Sequence, residues 1–141
     1  MGKKIGPMVV VIVWGCWFGG LMATFLFVTM LFHENRTVAI EAAPRMFHAF
    51  EIYQIILAAV AIAASVFCRQ VILTVLFALA AVGAVVSPVF ITPKIDELRE
   101  RHLTQTERFG ELHGESMMIY CADSLVLLGA GIILPGAIKK H

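Results

Sequence analysis

Charge is scarce in this chain: Lys, Arg, Asp and Glu make up 15% of 141 residues, against 60% hydrophobic residues. That leaves too little polar sequence for a separate soluble domain. The 11 Lys and Arg are few and dispersed, which excludes a nucleic-acid-binding surface. Cysteine is equally sparse. Cys16, Cys68 and Cys121 are odd in number and lie in or at apolar runs, so they exclude a disulfide framework and read as small core residues. Metal signatures of the Cys-x-x-Cys or His-x-x-x-His type are missing, as are a phosphate loop and a dinucleotide fingerprint. The chain has no internal repeat and no low-complexity tract.

What it has is long apolar runs, at about residues 7–32, 49–68, 71–91 and 112–138. About 20 apolar residues at a rise of 1.5 Å cross the ~30 Å hydrocarbon layer, so each run qualifies as a transmembrane helix. The expected fold is an all-α integral membrane domain spanning 1–141, an antiparallel up-down bundle of four helices with lipid as its main solvent. Lys3 and Lys4 precede the first run as in a signal peptide, but its length and its bulky Trp14, Trp17, Phe25 and Phe27 indicate a retained helix. The Asn35-Arg36-Thr37 glycosylation triplet reads as a chance occurrence. Basic residues undiluted by acids (Lys3, Lys4, Arg69, Lys139 and Lys140) share one side with both termini. The positive-inside rule therefore puts the termini in the cytoplasm of an inner or plasma membrane.

The second and third runs are joined by little more than Cys68-Arg69-Gln70, which requires a hairpin. Ser87-Pro88 should kink the third helix by removing a hydrogen bond. Beyond it, Thr92-Pro93 looks like a helix start. Ile95, Leu98 and Leu103 then recur between charges, as in a short amphipathic helix at the membrane surface before helix four. Thr104-Gln105-Thr106-Glu107 has capping-box spacing, so helix four can begin ahead of its apolar part. Gly15 and Gly19 form a Gly-x-x-x-Gly face suited to close helix packing, within the bundle, in a homo-oligomer or in a larger membrane complex.

Three segments together resemble a known family. Trp14-Gly15 before a Phe-rich run, Pro88-Val-Phe-Ile-Thr-Pro93-Lys-Ile-Asp-Glu-Leu-Arg99, and Phe109-Gly-Glu-Leu-His113-Gly-Glu-Ser116 are similar to the membrane proteins grouped as domain of unknown function 4149, which includes proteins similar to transmembrane protein 205. The resemblance covers nearly the whole chain and implies a four-helix membrane fold. It brings no settled activity and no catalytic residue. Tyr120 stands where the family commonly has an Asn.

Ionisable groups at membrane depth are the functional candidates, because charge in lipid is costly. Asp123 lies ~10 Å inside its apolar run and should point into the bundle. Glu51, at i, i+3 from His48, can pair with it or with Arg45, although its ordinary reading is a carboxylate hydrated at the bilayer edge. Candidate donors collect at one end of the bundle. His113, Met117 and Cys121 fall on one stripe at i, i+4, i+8, and Met46 adds a thioether; this is the donor set that Cu(I) selects. His48 and His113 could instead hold a b-type haem between two helices. Ser116 and His113 lack an oxyanion site, which argues against an enzyme. More simply, they hydrogen-bond across to Thr92. Three functions remain: a structural or accessory subunit of a membrane complex, ranked first; a haem- or copper-binding membrane protein; and a small oligomeric transporter using Asp123 and Glu51.

Overall fold

The computed structural model describes residues 2–138, with side chains for 5–137. Of the residues used above for orientation, Lys3, Lys4, Lys139 and Lys140 lie outside the described side chains. The chain forms α1 (Gly2–Glu34), α2 (Arg36–Phe67), α3 (Val71–Val86), α4 (Thr92–Glu100) and α5 (Glu107–Ile138), with a π-helical turn, Ser87–Ile91, between α3 and α4. Four helical stretches, Ile5–Glu34, Arg36–Phe67, Val71–Glu100 and Glu107–Ala137, are long and apolar enough to cross a membrane.

Three boundaries differ from those expected of the sequence. Helix two begins at Arg36 rather than near residue 49, because a helix does not stop where its hydropathy falls. Arg36, Glu41, Pro44 and Arg45 interrupt the apolar pattern while remaining helical. Asn35, the middle of no loop, is the single link between α1 and α2. Its extended backbone (φ −151°) lets its side chain accept a hydrogen bond from Val38 N at 3.2 Å, so the residue of the glycosylation triplet serves as an N-cap. The amphipathic segment is likewise no separate surface helix: it continues α3 through the π turn. The cap of α5 falls two residues later than the capping box suggested, with Phe109 N donating to Thr106 Oγ1 at 3.3 Å.

The tight turn at Cys68-Arg69-Gln70 is as expected. Gln70 N donates to Ser65 O and Arg69 N to Val66 O, the Schellman pattern, and Arg69 occupies the left-handed position at φ 56°. The end of α4 repeats it: Leu103 N donates to Leu98 O, His102 N to Arg99 O, and His102 has φ 58°. A β-carbon in that conformation costs about 1–2 kcal/mol, partly offset by the entropy a glycine would lose. Exposed His102→Gly is therefore expected to raise stability by about 0.5–1 kcal/mol, read as a higher thermal midpoint in detergent. A lower midpoint would mean that the imidazole itself holds the loop.

The long helices pack in cyclic order, α1 on α2, α2 on α3, α3 on α5 and α5 on α1. Trp17, Leu21, Leu73, Phe77 and Leu127 are almost completely buried between them, and Trp17 stacks on Phe77 with ring centroids 6.4 Å apart. Trp14 Nε1 donates to Leu127 O at 2.7 Å. Its ring occupies the space a side chain on Gly131 would need. Gly6 lies against Cys68, and Gly20 against Phe50 and Tyr53. The close approaches in the bundle are thus at Gly6, Gly20, Gly83 and Gly131. A β-carbon on Gly15 or Gly19 would meet nothing within 4 Å. Cys68 is buried as expected, whereas Cys16 and Cys121 are exposed on the outside. That outside carries large apolar side chains on every long helix, among them Phe27, Ile56, Phe67, Val71, Leu125 and Ile132.

Candidate functional site: a cavity over a buried carboxylate

Glu51 occupies the inward face of α2 and is 3% exposed. It is not the hydrated, edge-of-bilayer carboxylate that its position suggested. Burial of a carboxylate demands donors, and three hydroxyls supply them to Oε1: Thr92 Oγ1 at 2.5 Å, Ser87 Oγ at 3.3 Å and Tyr120 OH at 3.3 Å. The π turn makes this convergence feasible. Pro88 has no N–H, and Thr92 N donates to Ser87 O, five residues back. The wider turn brings Ser87 and Thr92 to one side, where an α-helix would separate them. Single π turns inserted in helices are frequent at functional sites.

The second carboxylate oxygen faces His48, whose Nδ1 is 3.6 Å from Glu51 Oε2. His48 Nε2 is 2.8 Å from Asp96 Oδ2, and Arg99 reaches Asp96 Oδ1, also at 2.8 Å. The chain of contacts continues outward as the Arg99 guanidinium lies over the Phe109 ring at 5.9 Å, and Phe109 stacks on His113 at 6.1 Å. Helices α2, α4 and α5 are thereby tied together at one end by a single polar network.

A cavity of about 530 Å³ opens beside this network, within the range of ~300–1,000 Å³ usual for small-ligand sites. Its apolar wall includes Phe25, Val28, Phe32, Phe47, Phe109 and Met117. Arg36, Gln105, His113 and Ser116 also face it.

Several residues singled out in the sequence do meet here. His48 and Glu51 pair as expected, and His113, Ser116 and Met117 line the same cavity. Thr92, however, gives its hydroxyl to Glu51, not to His113 or Ser116. Met117 faces the cavity while Cys121 is exposed and Met46 is half-buried, and neither of the latter lines it. Both nitrogens of His48 are directed at carboxylates, so a haem held by His48 and His113 would have to take His48 from Asp96. Among the described residues no group of three or more His, Cys, Asp or Glu side chains is placed to hold a metal ion.

Asp123 points inward as expected and is 4% exposed. Its carboxylate packs against Gly83, and its Oδ2 has no partner. Gln54, one turn beyond Glu51, is fully buried with neither amide atom bonded, and Trp17 Nε1 is likewise without a partner. Sequence reasoning missed Tyr120, Ser87, Asp96, Arg99 and Gln54. The available signal was a hydroxyl beside Pro88 inside an apolar helix. Comparison with family models, with curated proteins and with solved structures gives no match to this chain.

Proposed function

We propose that this protein crosses the membrane four times as an antiparallel up-and-down bundle with both termini in the cytoplasm. In this reading it is a non-catalytic accessory component of a membrane complex that holds a small molecule in the cavity over Glu51. The apolar exterior supports the membrane assignment. Contact of Gly6 with Cys68 and of Gly20 with Phe50 and Tyr53 pairs the start of α1 with the end of α2, which supports the up-and-down course. The resemblance to domain of unknown function 4149 supports the same fold.

The observation that carries the binding reading is the cavity itself. Its polar floor is a network in which Glu51 Oε1 accepts from Thr92, Ser87 and Tyr120, and His48 lies 2.8 Å from Asp96 and 3.6 Å from Glu51 Oε2. We read such a site as one that holds a molecule. The test is the composition of the full chain purified from its native membrane in mild detergent. A small molecule should accompany the protein near stoichiometrically and be lost from Ser116→Trp, which fills the cavity. Copper or iron in the same sample would assign the site to a metal or haem instead. Equal small-molecule content in both proteins would remove the cavity reading.

Transport is the second reading, favoured by the unpartnered Gln54, Asp123 and Trp17 atoms lying deeper in the bundle than Glu51. It predicts that Asp123→Asn abolishes uptake of a substrate into vesicles while leaving cavity occupancy unchanged.

A further inference from the structure

Which ligand suits the cavity follows from an account of its charged atoms. Glu51 and Asp96 line it, and three of their four carboxylate oxygens already hold a donor, the fourth, Glu51 Oε2, standing 3.6 Å from His48 Nδ1. Glu51 Oε1 accepts from three hydroxyls, Glu51 Oε2 faces His48, Asp96 Oδ2 faces His48 and Asp96 Oδ1 binds Arg99. A cationic ligand would have to displace a donor from one of the three occupied oxygens, or reach the buried Glu51 Oε2. The donors, in contrast, are not all spent. Arg36, Gln105 and His113 line the cavity and take no part in those bonds. Arg36 is the first residue of α2, whose first turn contains no acidic residue, so its charge adds to the positive end of that helix. A guanidinium with free N–H groups matches the geometry of a carboxylate or phosphate. Opposite it, Phe25, Val28, Phe32, Phe47 and Met117 offer a wall for an apolar chain.

We infer that the cavity binds an anionic amphiphile, with its carboxylate or phosphate headgroup at Arg36 and its hydrocarbon chain against the phenylalanine wall. This rests on the binding reading above and adds the class of ligand. The apolar chain accounts for the aromatic lining, and the anion accounts for the unpaired donors. The occupied carboxylate oxygens leave an amine only the buried Glu51 Oε2.

The test uses the full chain in maltoside micelles with radiolabelled dodecanoic acid, displaced by dodecyl phosphate, dodecanol or dodecylamine. Dodecanoic acid should bind, and the alcohol and the amine should compete at least about tenfold more weakly, a difference of about 1.4 kcal/mol. Competition by dodecyl phosphate equal to or stronger than that of the acid assigns the site to phosphate-headed amphiphiles, and weaker competition assigns it to carboxylates. Arg36→Gln should weaken acid binding by about tenfold without changing that of the alcohol; Arg36 is exposed, so this variant folds on the same core. If the alcohol or amine competes as well as the acid, or Arg36→Gln changes nothing while Ser116→Trp removes binding, the anionic class is wrong and the cavity reading stands. If no probe binds, or Ser116→Trp binds the acid as the wild type does, both readings fall.

Discussion

Replacing Glu51 with Ala is expected to lower the stability of the folded bundle by about 3–5 kcal/mol, the usual cost of removing one partner from a buried charged network. The loss should be read as a fall in the sodium dodecyl sulfate fraction needed to unfold the protein in mixed micelles. Glu51 is the one acceptor shared by Ser87, Thr92 and Tyr120. Ser87 and Thr92 lie on a helix and can turn back to a carbonyl one turn earlier. Tyr120 has a long rigid side chain, is 2% exposed, and would be left with an unpaired hydroxyl. Glu51→Gln keeps an acceptor for the hydroxyls and loses only the charge opposite His48, so its cost should be smaller, about 1–2 kcal/mol. Tyr120→Phe in the Glu51→Ala background should cost less than Tyr120→Phe alone, because the partner is already gone. Strict additivity would show that the hydroxyl and the carboxylate do not depend on each other.

Gly83→Ala should destabilise the bundle by about 1–3 kcal/mol, the range for overpacking a filled interior. The methyl group would overlap both oxygens and the carboxyl carbon of Asp123. To make room, Asp123 on α5 would have to leave its present rotamer and take its carboxylate away from α3. The decisive experiment is the double variant. Asp123→Ala should restore most of the loss in the Gly83→Ala background, because it removes the atoms in conflict. A double variant no more stable than Gly83→Ala would place the cost in the backbone of α3 rather than at the carboxylate. Gly15→Ala and Gly19→Ala, on the open face of α1, should be neutral or slightly stabilising in the isolated protein, since alanine is the better helix former.

Glu51 and Asp123 illustrate what was legible in the primary structure. Both were identifiable as candidates because charge in lipid is costly; Asp123 was expected to turn inward and Glu51 to stay hydrated at the bilayer edge, yet both are buried. Their partners were not identifiable. Glu51 is met by residues 36, 41 and 69 positions away, and no local spacing encodes such encounters. His48 was correctly placed beside Glu51 because i, i+3 neighbours share a helix face whatever the fold does.

The sequence by itself determined the number of long apolar helices, the tight turn at Cys68-Arg69-Gln70 and the irregularity at Ser87-Pro88, since these follow from bilayer thickness, chain geometry and the missing N–H of proline; it did not determine their lengths, since α2 begins at Arg36. Only the tertiary structure decided which glycines are crowded, where the cavity lies and which face of each helix is interior. The physical reason is that these helices are apolar all round. In a water-soluble bundle the polar face marks the outside, but here Phe67, Val71, Leu125 and Ile132 are exposed while Trp17, Leu21, Phe77 and Leu127 are buried. The two sets have the same chemistry, so hydropathy cannot tell them apart. Shape and the pairing of a few polar atoms select between them, and both exist only once the helices have packed.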